Sequence, residues 1–117
     1  MEILDAIDSA LRCIDQEVHY GIASKHDPKK PWNYTVFSRS TTNPKDNLTG
    51  YTDGYIVAVV RENFVPENAL DDVVGIMRTI PGMKLDSKRS IEYVYDVKPG
   101  TNNAVEMMLV YFVRGRK

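Results

Sequence analysis

Cys13, His19 and His26 are the residues of this chain with thiol or imidazole chemistry, and Asp71-Asp72 is its adjacent carboxylate pair. Zinc centres draw ligands in close pairs, whereas Cys13 and His19 stand six apart on or just past an expected helix and His26 falls in a polar loop. That spacing predicts a buried free thiol and two surface imidazoles, with no metal site. Cys13 has no base placed to activate it, and no serine stands at a strand-to-helix elbow. Neighbouring residues on a helix point about 100° apart, so Asp71 and Asp72 cannot flank one substrate as acid and base. They serve better as charges near a helix N-terminus. Gly50, Gly54 and Gly82 lack the strand-loop-helix spacing of a phosphate loop. The expectation is a non-enzyme with no catalytic, cofactor-binding or metal residues and no cofactor.

One further set is chemically suggestive. Trp32, Tyr34 and Phe37 lie among Lys29, Lys30 and Arg39, the pairing of aromatic and basic groups that stacks single-stranded bases. Against this stand Glu92 and Asp96 on a later strand, and strands without the Gly-aromatic signature of an RNA-binding sheet. A net charge of −1 and a pI near 6.1 also exclude a binder that holds phosphate by bulk charge. A nucleic-acid-binding ferredoxin-like module remains the alternative reading.

The elements that must position these residues follow from periodicity. With 117 residues, 43% apolar and 26% charged, the chain suits a single domain, 1–117, with its own core. Ile3, Leu4, Ile7, Leu11, Ile14 and Val18 fall on one stripe, which predicts an amphipathic helix over 2–18 ended by Gly21. A loop over 22–31 leads to a strand at 32–39, where Trp32, Tyr34 and Val36 alternate with Asn33, Thr35 and Phe37. Residues 40–54 are rich in turn formers and predict a long hairpin-like loop, mobile in the isolated subunit. A strand at 55–62 follows, then a helix opened by Pro66 and stopped by Pro81-Gly82. Met83-Lys84-Leu85 is a candidate short strand. Residues 91–98 and 105–114 read as strands joined by the tight connection 99–103.

The predicted order is α-β-β-α-β-β. It gives an α+β fold with a predominantly antiparallel sheet and two helices packed on one face. Cys13 alone forms no internal disulfide, the N-terminal residues lack a signal-peptide pattern, and apolar runs fall short of the ~20 residues that span a bilayer. No membrane association is expected, and the default compartment is a cytoplasm.

Charge is polarised along the chain. Residues 1–20 carry Glu2, Asp5, Asp8, Asp15 and Glu17 against Arg12, whereas residues 21–50 carry Lys25, Lys29, Lys30, Arg39 and Lys45 against Asp27 and Asp46. Such complementary patches suit head-to-tail contact between like subunits. Asp8 and Asp15 would meet Lys29, Lys30, Arg39 and Lys45 of a neighbour. Trp32 or Phe37 would anchor the contact.

The runs PWNYTVFSR (31–39), LTGYTDGYIVAVVRENFVPE (48–67), RTIPGMKL (78–85) and EYVYDVKPGTNNAVEMMLVYFVRGRK (92–117) resemble prophage-encoded head-tail and neck proteins of long-tailed phages. The order of elements is similar to the tail-terminator family. That resemblance implies a virion structural protein, assembled in the host cytoplasm, that forms a hexameric ring, stops tail-tube growth and meets the tail-tube protein and the head connector. Terminator, connector and head-completion roles all fit it. The 40–54 segment would be a hairpin projecting at the ring's face or lumen. Contact with DNA stays open, because that segment carries only Lys45 against Asp46 and Asp53 as charges.

Overall fold

In the computed structural model, residues 2–23, 26–27, 29–45 and 50–116 are described. Lys25 and Asp46, part of the expected basic segment and loop, lie outside them. The first helix, α1 (Ile3–Leu11), opens with the Glu2 side chain accepting from the Leu4 N–H at 3.3 Å and carries Asp5 in its first turn. Ile7 and Leu11 face inward and are fully buried. It is shorter than the periodicity predicts. The Cys13 and Ile14 N–H groups bond three residues back, to Ala10 and Leu11, so the helix tightens and ends. Val18 then buries its side chain from a strand, β1 (Val18–Tyr20), and not from the helix. A strand residue can occupy the position in a core that helical spacing assigns to a helix residue.

Six strands form one open sheet. They are β1, β2 (Tyr34–Pro44), β3 (Tyr51–Glu62), β4 (Met83–Leu85), β5 (Glu92–Val97) and β6 (Ala104–Arg116), with α2 (Glu67–Met77) between β3 and β4. The order across the sheet is β1-β2-β3-β6-β4. Strand β5 shares the outer edge of β6 with β4. Strand β4 lies along Phe112–Arg114 and β5 along Ala104–Leu109. Every pairing is antiparallel except β1 with β2. The class is therefore α+β with a mostly antiparallel sheet, as expected, but the order gains β1 and β4 and becomes α-β-β-β-α-β-β-β.

Alternation along the strands gives the two faces different roles. Phe37, Tyr55, Val57, Val59, Met108, Val110 and Phe112 form the main core together with Ile7 and Leu11 of α1 and Val73 and Met77 of α2. On the opposite face Tyr34, Val60 and Val105 make a smaller cluster, which Ala23, Trp32, Val36 and Met107 adjoin. The alternation read for residues 32–37 holds: Tyr34 and Val36 face this second cluster while Thr35 and Phe37 face the helices' side.

The expected mobile loop at 40–54 is instead largely strand. Thr42, Asn43 and Pro44 pair with Asp53, Thr52 and Tyr51, and Tyr51–Gly54 pair in turn with Arg116–Val113 of β6. The register shifts between Arg39 and Thr42, a bulge at Ser40-Thr41. Gly54 is what admits the bulge, since a Cβ there would stand 2.5 Å from Ser40 Oγ and 2.8 Å from Thr41 Oγ1. Turn-forming composition concealed a strand whose order comes from its neighbours on both sides. The described residues extend over 52 Å in the long dimension against 26 and 25 Å in the others.

Candidate functional site

The residues expected to meet a partner fall into three settings. Asp15 is inward: its Oδ2 accepts from Thr35 Oγ1 at 2.8 Å and from Arg61 Nη2 at 3.0 Å, and its side chain is 10% exposed. Phe37 is in the core at 2% exposure. Neither is available to a neighbour, which corrects their assignment to an interface. Asp8 stays on the surface of α1 but is paired within the helix, accepting from Arg12 Nε at 2.8 Å.

The basic residues spread along β2, from just before its start to just past its far end. Lys29 and Lys30 are exposed just before it, where the Asp27 side chain and carbonyl accept their backbone N–H groups. Trp32 is half-buried beside them, with its N–H on Glu62 Oε1 at 3.3 Å. Glu62 also takes an ion pair from Lys98 at 2.8 Å. Arg39 stands at the middle of β2 and Lys45 just past its far end, about 17 and 36 Å along the strand from Tyr34 at ~3.3 Å per residue. The expected single basic patch is thus drawn out along the strand. Sequence proximity in an extended strand is spatial separation.

At the hairpin end, Arg39, Arg114 and Arg116 line a cavity of about 350 Å³ with Glu2, Asp53 and Tyr55. Arg116 Nε donates to Asp53 Oδ2 at 2.5 Å and Thr42 Oγ1 donates to Oδ1 at 2.7 Å. Burial pushes the Asp53 carboxyl up, but those hydrogen bonds and the charges of Arg116 and Arg39 outweigh it, so it titrates below the usual aspartate range. Its stabilising effect is complete above about pH 4 and is lost as pH falls through the lowered folded-state value. Asp53→Asn should therefore be less stable than wild type at neutral pH and lose less stability on acidification, read by chemical denaturation at a series of pH values. Parallel stability curves would show that the carboxylate contributes nothing to folding.

The β5 edge carries the most exposed apolar surface of the sheet. Its six residues are all exposed, and Tyr93, Val94, Tyr95 and Val97 stand at 49, 42, 65 and 55%. Tyr93, Tyr95 and Val97 project on one face and Val94 on the other. Among the described residues β5 pairs on one side only, with β6. Its alternation predicts a half-buried strand, whereas all six residues are exposed. Alternation alone cannot say that the buried half has nothing over it.

A second constellation reverses an expectation. The Cys13 thiol is exposed, whereas the rings of His19 and His26 are 13% and 5% exposed and converge on one carboxylate oxygen, Glu17 Oε2, at 2.6 and 2.5 Å. Burial pushes the Glu17 carboxyl up and the two imidazole hydrogen bonds outweigh it, leaving the group below the usual glutamate range. Asp71 and Asp72 are exposed in the middle of α2, past the first turn, where Glu67 is the acidic residue, so they are not the helix-end charges expected of them. No known family model matches the chain, and no curated protein matches its sequence.

Proposed function

We propose that this chain is a structural subunit of a tailed phage which works by self-assembly, as a tail terminator or head-tail joining protein forming a ring at the end of the tail tube. The observation that carries it is the β5 edge. An exposed edge strand with Tyr93, Tyr95 and Val97 on one face, and Val94 between Glu92 and Asp96 on the other, offers an unpaired backbone and an apolar face for pairing with another chain. Here it fits strand addition by a neighbouring subunit or by the tube. The resemblance to neck proteins supports the same conclusion, and so does the extended β2-β3-β6 region, where Arg39, Arg114 and Arg116 line one cavity and Lys45 lies beside Gly115.

The earlier pairing of Asp8 and Asp15 with Lys29 and Lys30 is not part of this proposal, because Asp15 is used inside the subunit. Lys29, Lys30 and Trp32 remain candidates for a polar rim. The nucleic-acid alternative draws on Trp32, Tyr34 and Phe37, but Tyr34 and Phe37 are buried on opposite faces of the sheet and offer no common stacking platform.

Val94→Lys with Val97→Lys places a charge on each face of β5 at exposed positions, where substitutions usually change stability by only about ±0.5 kcal/mol. Mass in solution and electron microscopy of the full chain, alone and with the tail-tube protein, should show rings for wild type and none for the double variant, with far-UV circular dichroism unchanged. Rings formed equally by both would remove β5 from the interface. A wild type that never associates with itself or the tube, yet holds single-stranded DNA with steep salt dependence, would establish the alternative.

A further inference from the structure

We propose that Glu17, His19 and His26 form a binding site for a divalent transition-metal ion of the zinc class, independent of the assembly role. The chain has two histidines, and they come from separate segments to the same carboxylate oxygen. One ligand atom from each of the three residues lies within 4.8 Å of the others.

The backbone explains the convergence. Glu17 and His19 are two residues apart on an extended segment, so their side chains share a side. The Glu17 carbonyl accepts from the Thr35 N–H at 3.0 Å, and His19 is opposite Val36 in the parallel β1-β2 pair. Both ligands are therefore set on the sheet. Gly21 then takes φ +79°, a left-handed conformation suited to glycine, and the chain turns with its N–H on the Phe37 carbonyl at 2.8 Å. The His26 N–H bonds the Ala23 carbonyl at 3.1 Å. The His26 ring is held against Tyr34 with centroids 4.6 Å apart and meets Trp32 edge-on at 6.2 Å, while His19 meets Tyr34 edge-on at 5.7 Å. An aromatic wall thus stands on one side of the cluster and a partly exposed carboxylate on the other.

The donor set selects the ion. Two imidazole nitrogens and one carboxylate oxygen suit Zn²⁺ and its neighbours, whereas Ca²⁺ and Mg²⁺ need shells built from oxygen. Three protein ligands with a fourth position for water is a recurrent zinc arrangement. At zinc-ligand distances of about 2.0–2.1 Å, tetrahedral ligand atoms stand roughly 3.3 Å apart. The two N···O separations need only open by less than about 1 Å, within the reach of small side-chain rotations.

Metal binding moves the ring proton of each neutral imidazole from the ligating nitrogen to the other. For His26 this exchange sacrifices no other hydrogen bond: its Nε2 is buried without a partner among the described residues. The bound ion would take the place of two N–H···O contacts and tie the segment bearing Lys29, Lys30 and Trp32 to β1. That end of the sheet would be stiffened by metal and looser without it.

The test uses the full-length chain with zinc chloride and cobalt(II) chloride. Calorimetry should give one zinc per chain, zinc should raise the melting temperature, and cobalt should give the intense visible bands of a tetrahedral N/O site. Glu17→Gln, His19→Asn and His26→Asn should each weaken zinc binding by at least about tenfold, since loss of an outer-shell partner alone costs that much. Far-UV circular dichroism checks that each variant folds. Should a variant fail to fold, the wild-type cobalt spectrum still decides: only weak octahedral bands, or no zinc binding by wild type, overturns the proposal. Variants that bind like wild type would place the ion elsewhere and equally overturn it.

Discussion

Phe112→Ala should lower the unfolding free energy by about 3–5 kcal/mol. Phe112 is 1% exposed and is the largest of the fully buried side chains. It sits on the central strand opposite Tyr55 of β3 and Leu85 of β4, within the core that both helices enter. Truncation removes the transfer free energy of the ring and leaves a cavity that strands held on both sides cannot collapse to fill. Domains of this size are stable by roughly 5–15 kcal/mol, so the variant should be close to unfolding at room temperature. Urea denaturation measures it, and Phe112→Leu, which keeps most of the volume, should retain most of the stability. A loss below about 1 kcal/mol for alanine would mean that the helices do not seat on this strand.

Asp15→Ala should be the second-largest loss, about 2–3 kcal/mol. The carboxylate joins the segment after α1 to Thr35 on β2 and Arg61 on β3, and its removal leaves the 1%-exposed Thr35 hydroxyl and the Arg61 guanidinium without that partner. Arg61 keeps bonds to the Tyr34 and Val60 carbonyls and some contact with water, which holds the loss below the 3–5 kcal/mol of a fully buried broken pair. An apolar pair, Asp15→Leu with Arg61→Met, should recover much of it, because neither charge then has to be desolvated. If the double variant is as unstable as the single one, packing and not charge is what Asp15 supplies.

Long, strongly patterned segments were legible from sequence. Helix α2 follows from Leu70, Val73, Val74 and Met77, and β3 and β6 from their branched and aromatic runs, because burial on one side of a regular element leaves a period. Three features left no such trace. Val18 continues the stripe of α1 from another element, so periodicity alone lengthens the helix and conceals β1. That one misreading also hid the metal-ligand cluster: on a helix, residues 17 and 19 diverge by about 200°, whereas on a strand they point together. Composition at 40–54 signalled turns, while the order there comes from pairing with β6, some sixty residues later. Asp15 and Arg61 are 46 residues apart, and nothing local to either marks the pair.

Strand β6 is the sheet's keystone, and every strand that pairs with it precedes it in the chain. Order of synthesis therefore runs against order of pairing. On the ribosome the β2-β3 hairpin emerges well before β6, with the inner edge of β3 bare and its Tyr55, Val57 and Val59 row uncapped by the strand that will seal it. Strands β4 and β5 follow with nothing to attach to, since each pairs only with β6 among the described residues. Nascent chains of this protein thus keep those strand edges exposed until Ala104–Arg116 has been made.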